Sequence, residues 1–271
     1  MRRMVVPLVL FACALPQAAT ATTPAANPDR IGRIYSYIRS DRDGAEAETI
    51  HVFRQSRTHI GVAKMRNRCT NAAYVTADLD IERGHATRLG GGRLRPNAQR
   101  EEFAVLTYDA ATRRLDGRVE TPNGPITLTL NVPETPWHLF DFDLASLTIA
   151  AQYRPDRRAN LSFGMPLLWP DGSANPLRYL GRADLNFVRE EMHEGRRSLL
   201  FEAGGPAFGD RGGPIWFDAE EGHIVEASWG IPNHTEHRDF RLRLTRVSDG
   251  GEAEWRRLLS AHFEACPETA R

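Results

Sequence analysis

The segment His234-Thr235-Glu236-His237-Arg238-Asp239 sets two imidazoles three positions apart, with a carboxylate two further on. Imidazole nitrogen and carboxylate oxygen both bind zinc, so His234, His237 and Asp239 are a candidate cluster for zinc or a similar cation. The preceding Ile231-Pro232-Asn233 argues against a helix here, and without one the spacing does not put the three groups on one face. The competing reading is an exposed polar loop between two strands, and no metal or other cofactor is expected.

Other patterns lead away from catalysis. Gly209-Asp210-Arg211-Gly212-Gly213-Pro214 resembles the nucleophile loop of trypsin-like serine proteases, but Arg211 stands where the serine would be. An arginine cannot be that nucleophile, and His51, His59 and His85 lack the setting of the family's general base. The loop therefore reads as a glycine-rich turn entering the strand Ile215-Trp216-Phe217. Adjacent carboxylates occur at Asp141/Asp143, Glu190/Glu191 and Glu220/Glu221. Glycoside hydrolysis needs two carboxyls across a cleft. Sequence neighbours read instead as solvated groups or, for Asp141 and Asp143, as partners of a helix dipole. No nucleophile elbow, Ser-x-x-Lys, His-Glu-x-x-His, phosphate loop or dinucleotide fingerprint occurs. No catalytic residue is assigned, and an enzyme is not the expectation.

The elements that would position these groups are mainly strands. Ala73, Val75, Ala77, Leu79 and Ile81 alternate with polar residues, as do Ile126, Leu128, Leu130 and Val132. Ala183, Leu185 and Phe187 repeat the pattern, and so do Phe240, Leu242 and Leu244. One wet face per strand predicts antiparallel pairing. Turn residues punctuate the runs at Asp43-Gly44, Asp116-Gly117, Asn123-Gly124, Asp171-Gly172, Glu194-Gly195 and Asp218 to Gly222. Helical spacing is confined to two places. Phe140, Leu144, Leu147 and Ala151 share one face, and the stripe Trp255, Leu258, Leu259, His262, Phe263, Cys266 predicts a C-terminal helix over 252–266. The fold class is thus mainly β, a large curved antiparallel sheet or open half-barrel whose apolar face is covered by one or two helices.

Arg2 and Arg3 precede an apolar stretch from Met4 to Leu15 and the small-x-small triplet Ala19-Thr20-Ala21, so residues 1–21 read as a signal peptide. A lipoprotein signal through Cys13 is the alternative. Residues 22–30, rich in Ala, Thr and Pro, read as a flexible leader, and 31–271 as a single domain. The apolar stretch is too short for a transmembrane span. With Cys13 removed, Cys69 and Cys266 remain in an oxidising compartment, periplasmic or secreted, and are expected to form a disulfide. The whole chain has 35 basic and 35 acidic residues, which disfavours nucleic acid as a partner. Lys64 is its sole lysine.

The order of elements carries a resemblance. The meander from Ile34-Tyr35-Ser36-Tyr37, the segment Phe140-Asp141-Phe142-Asp143-Leu144-Ala145-Ser146-Leu147, and Ile215-Trp216-Phe217-Asp218 with Val225 resemble exported bacterial domains of unknown function similar to the periplasmic lipoprotein-carrier half-barrel. That resemblance implies an unclosed antiparallel barrel around helices and a lipid or other apolar ligand inside. Stretches around Gly90-Gly91-Gly92 and from Pro166 to Pro176 read as excursions from that layout. The five tryptophans read as core, or as aromatic lining for an acyl chain. The expected function is binding of a lipid or other hydrophobic ligand in the concave face of the sheet. The alternatives are a structural or protein-interaction module of the envelope and a hydrolase of an envelope polymer.

Overall fold

A computed structural model describes residues 29–173 and 175–267. The expected signal peptide, Cys13 and most of the leader lie outside the described residues. Where apolar and polar residues alternate, the chain forms strands: β1 (Ile34–Ser40), β2 (Glu48–Arg54), β3 (His59–Met65), β4 (Ala73–Asp80), β5 (His85–Leu94), β6 (Arg100–Asp109), β7 (Arg114–Val119) and β8 (Ile126–Asn131). After a helical segment follow β9 (Leu161–Leu168), β10 (Leu177–His193), β11 (Arg196–Gly204), β12 (Gly213–Asp218), β13 (Ile224–Trp229) and β14 (Phe240–Ser248).

These fourteen strands form one open antiparallel sheet in the order β8-β7-β6-β5-β4-β3-β2-β1-β14-β13-β12-β11-β10-β9. Every neighbour is consecutive in sequence except β1 and β14, whose pairing joins two meanders through the chain's two ends. The sheet does not close, since β8 and β9 share no ladder. Its two ends nevertheless approach, and Asn175 Nδ2 donates to the Thr129 carbonyl of β8 at 2.9 Å.

The mid-chain helical segment lies on the inner face. It is a single 3-10 turn at Phe140–Phe142, a short helix α1 (Ala145–Ala150) and a second 3-10 turn at Ala151–Tyr153. Ala145 to Ile149 are buried all round, so side chains of the sheet surround the helix. Gln152 Nε2 donates to Tyr35 Oη of β1 at 3.1 Å. The expected role of Asp141 and Asp143 at a helix start is corrected here. Asp143 and Leu144 both have positive φ, 49° and 58°, so the chain turns sharply and α1 begins only at Ala145. The two carboxyls are left among buried charges rather than at a helix dipole.

The C-terminal helix α2 (Gly251–Ala261) is shorter than the expected 252–266 and packs on the other face of the sheet. Trp255, Leu259 and Phe263 cover Ile34, Phe53, Ala63 and Met65, the residues of β1 to β3 that alternate with the inner set. Gly61 lets the indole lie flat on β3, since a Cβ there would be 3.2 Å from Trp255 Cζ2. Beyond Ala261 the chain continues in turns because it is drawn toward the β3–β4 loop: Cys69 N donates to the His262 carbonyl at 3.1 Å. The Cys69 and Cys266 sulfurs are 2.04 Å apart, which ties α2 to that loop across 197 residues of sequence.

Two glycine readings are also corrected. Asp116-Gly117 is not a turn but the middle of β7, where Gly117 faces Leu106 so closely that a Cβ would meet its Cδ2 at 2.3 Å. Gly90-Gly91-Gly92 is not an excursion but the body of β5.

A candidate ligand-binding cavity with a buried charge cluster

Period two places charge, as well as apolar bulk, on the inner face. In β1 the inner residues run Tyr35, Tyr37, Arg39; in β2, Val52, Ile50, Glu48; in β3, Ile60, Val62, Lys64. Arg39 stands opposite Glu48 and Lys64 opposite Ile50 in register, so the three charges lie together at one end of the strands β1–β3. Opposite them come Asp141 and Asp143, and Asn233 and His234 from the β13–β14 connection.

Asp143 is the hub. Its carboxylate lies 2.6 Å from Lys64 Nζ, 3.6 Å from Arg39 Nε and 4.0 Å from His234 Nε2. Asn233, fully buried, donates to Asp143 Oδ1 at 2.7 Å and to the Phe140 carbonyl at 3.0 Å, and it accepts from Arg39 Nε at 3.1 Å. Lys64 Nζ also donates to the Asp141 carbonyl. Burial alone would push the Asp143 carboxyl up, but the cations Lys64 and Arg39 beside it outweigh that and hold the pKa at about 2. Asp141 and Glu48 lack so close a cation, and burial pushes both up to about 6. Burial, reinforced by Lys64, keeps His234 well below the ordinary histidine value and therefore neutral at pH 7.

Beside this cluster an apolar cavity of about 210 Å³ opens between β4–β8 and the segment around Leu139 and Asp141. It exists because the inner positions there are small: Ala73 and Val75 in β4, Gly91 in β5, Ala104 in β6, Val119 in β7. Gly91 and Ala104 are register partners, with Gly92 then opposite Glu102, so Phe103 is an extra residue in a β-bulge. The bulge turns Phe103 onto the cavity lining, where the ring is 42% exposed. Ile126, opposite Val119 on edge strand β8, is exposed beside it. Lys64, Asp141 and His234 form the polar wall, and the rest of the lining is apolar.

The structure separates the members of the expected metal cluster. His234 faces the cavity, whereas His237 is turned toward Asp41, with Nδ1 3.0 Å from Oδ1, and toward Arg39. Asp239 accepts from the Arg42 amide at 2.7 Å. A different set brings its ligand atoms within 4.8 Å of one another among the described residues: His193, Glu194 and Glu226. There His193 Nε2 lies 2.9 Å from Glu226, and its ring stacks on Trp216 at 3.8 Å. The other carboxylate pairs are bound in ion pairs, Glu190 with Arg158 and Arg197, Glu191 with Arg189, and Glu221 with Arg33. The glycine-rich loop is a close chain crossing, as expected of a turn: a Cβ on Gly212 would meet the Ala203 carbonyl at 1.9 Å. Trp137, Trp229 and Trp255 are core. Trp169 and Trp216 stand outside it, against Arg178 and His193, and none of the five lines the cavity.

From sequence, Asp141, Asp143 and His234 stand out in other roles and Lys64 only as the sole lysine, while Arg39 and Glu48 are passed over, although a signal for the inner charges exists. Tyr35-x-Tyr37-x-Arg39 and Ile60-x-Val62-x-Lys64 each end an apolar alternation on a charge.

No protein-family model matches the chain, and no curated protein is similar to it in sequence. Among the described residues no helix is long and apolar enough to cross a membrane.

Proposed function

We propose that this is an exported protein of the cell envelope that binds an apolar ligand, or the apolar end of a lipid, in the inner-face cavity of its sheet. The carrying observation is the cavity itself: apolar walls, one polar end and an exposed aromatic residue at its rim. Its volume of about 210 Å³ exceeds the roughly 150 Å³ of an engineered cavity that binds benzene. It falls short of the roughly 300 Å³ at which drug-sized pockets begin. A single short chain or ring therefore fits, and a larger lipid would leave part of itself outside past Phe103. The layout's resemblance to lipoprotein-carrier half-barrels supports the same reading. Export is supported by the signal-like first 21 residues and by the Cys69–Cys266 pair.

The test is native mass spectrometry of the protein purified gently from its own envelope, with thermal melts across a panel of fatty acids, alcohols and small aromatics. A bound adduct that extracts as lipid, or a ligand-dependent rise in Tm, is expected. A bare mass together with an unmoved Tm across the panel overturns the reading. The edge strand β8, which no further strand pairs, supports a second reading, a protein-interaction module of the envelope; the β9 edge is taken at Gly164 by the segment around Trp137.

A further inference from the structure

Resting on the cavity reading, we infer that the ligand carries an uncharged hydroxyl head seated between Lys64 and His234, and that the site selects against carboxylate-headed ligands. The polar wall has hydrogen-bonding capacity to spare but no surplus positive charge.

An ammonium has three N–H donors. Lys64 donates one of these to the Asp141 carbonyl and forms an ion pair with Asp143 Oδ2 at 2.6 Å, and it also lines the cavity. His234 Nε2 is buried, lines the same cavity and has no hydrogen-bond partner. Both groups sit on the Asp143 carboxylate, so they serve one region of the wall. A buried polar atom without a partner costs free energy that a ligand atom can recover. A hydroxyl meets both needs, accepting from Lys64 and sharing a hydrogen bond with the neutral imidazole.

The charge balance excludes an anion. Two cations, Lys64 and Arg39, face three carboxyl groups, Asp143, Asp141 and Glu48. Behind Arg39, Asp41 is already paired with Arg238 and His237. A ligand carboxylate would be the fourth acid against two buried cations, and in a site of low dielectric that repulsion outweighs one contact with Lys64. The shared chemistry is a neutral alcohol, whether from a long-chain alcohol or from the glycerol of a monoacyl lipid.

The experiment compares 1-octanol, octanoate and toluene at pH 7.5 by calorimetric titration of the full chain, with 1-monooctanoylglycerol as a further arm. Octanol is expected to bind at least tenfold tighter than octanoate. His234→Phe should weaken octanol about fivefold, the value of one hydrogen bond, while leaving toluene within twofold. Lys64→Met would leave Asp143 short of a cation and is a folding risk, so His234→Phe is the decisive variant. Octanoate binding as tightly as octanol, or octanol indifferent to His234→Phe, overturns the head-group assignment and leaves the cavity reading standing if toluene binds. Failure of toluene, octanol and octanoate alike overturns both. A monooctanoylglycerol affinity at or above that of octanol identifies a glyceride as the better source.

Discussion

The two halves of the sheet are built on the same alternation and end in opposite states. Across β10–β14 the inner face is crowded with rings. Trp229 packs against Phe140, Phe208 and Phe240 at centroid distances of 4.9–5.6 Å, and Phe201 meets Phe217 edge-on at 5.6 Å. Across β4–β8 the equivalent positions carry Ala73, Val75, Gly91 and Ala104, and a cavity remains. Hydrophobic pattern alone makes a face; side-chain volume decides whether that face becomes core or a binding site.

Breaking the aromatic half should cost most. Trp229→Ala, at a fully buried position, is expected to lose about 3–5 kcal/mol in urea unfolding, because close-packed rings cannot collapse into the gap. Next comes the outer-face cover: Cys69→Ser with Cys266→Ser should lose about 2–4 kcal/mol, read in the same assay. A loss under 1 kcal/mol would mean that packing of α2 alone holds the loop. The same small-to-large change sharpens the contrast between halves. Ala203→Leu, buried on β11 beside the rings, should cost about 1–3 kcal/mol by overpacking. Ala104→Leu should cost less than about 1 kcal/mol and abolish toluene binding, since its added methyls enter open space.

The last contrast concerns pH. The Asp141 carboxyl titrates at about 6 in the fold, against an ordinary 3.8. Between those values the native state keeps a proton the unfolded chain has released, so this group's contribution to stability falls as pH rises and is lowest above 6. Asn does not titrate. The Tm of Asp141→Asn relative to the parent should therefore be more favourable at pH 7.5 than at pH 4. The buried His51 and His138, held down by burial at about 4 and about 3, act in the opposite sense but are common to both proteins and cancel in the comparison. A difference independent of pH would mean that Asp141 is ionised throughout.

Much of the fold was legible because strands and turns are short-range matters. The runs Ala73–Leu79, Ile126–Leu130 and Phe240–Leu244 all lie in β4, β8 and β14, and Asp43-Gly44, Asn123-Gly124 and Glu194-Gly195 all turn hairpins. The misreadings came where a glycine answers to a neighbour rather than to a turn. Gly117 is small because Leu106 of the next strand occupies its place, and nothing within a few residues of it says so. The site was less legible. His234 was singled out, though for a metal rather than as a cavity wall, and its expected partners His237 and Asp239 turned elsewhere. Asp141 and Asp143 read as helix partners because their spacing fits a dipole, whereas the positive φ at Asp143 and Leu144 depends on the contacts that hold them.

Sequence by itself determined the antiparallel strands, most of the turns and the inner positions of Arg39, Glu48 and Lys64, because alternation and turn chemistry act between near neighbours. Tertiary structure decided that β1 would pair with β14 and that α2 would lie outside the sheet and α1 inside. It also gathered Lys64, Asp143 and His234, residues as much as 170 positions apart, into one cluster. A buried charge needs a partner of opposite sign whatever its distance along the chain, and only the closed packing of the whole domain can supply one.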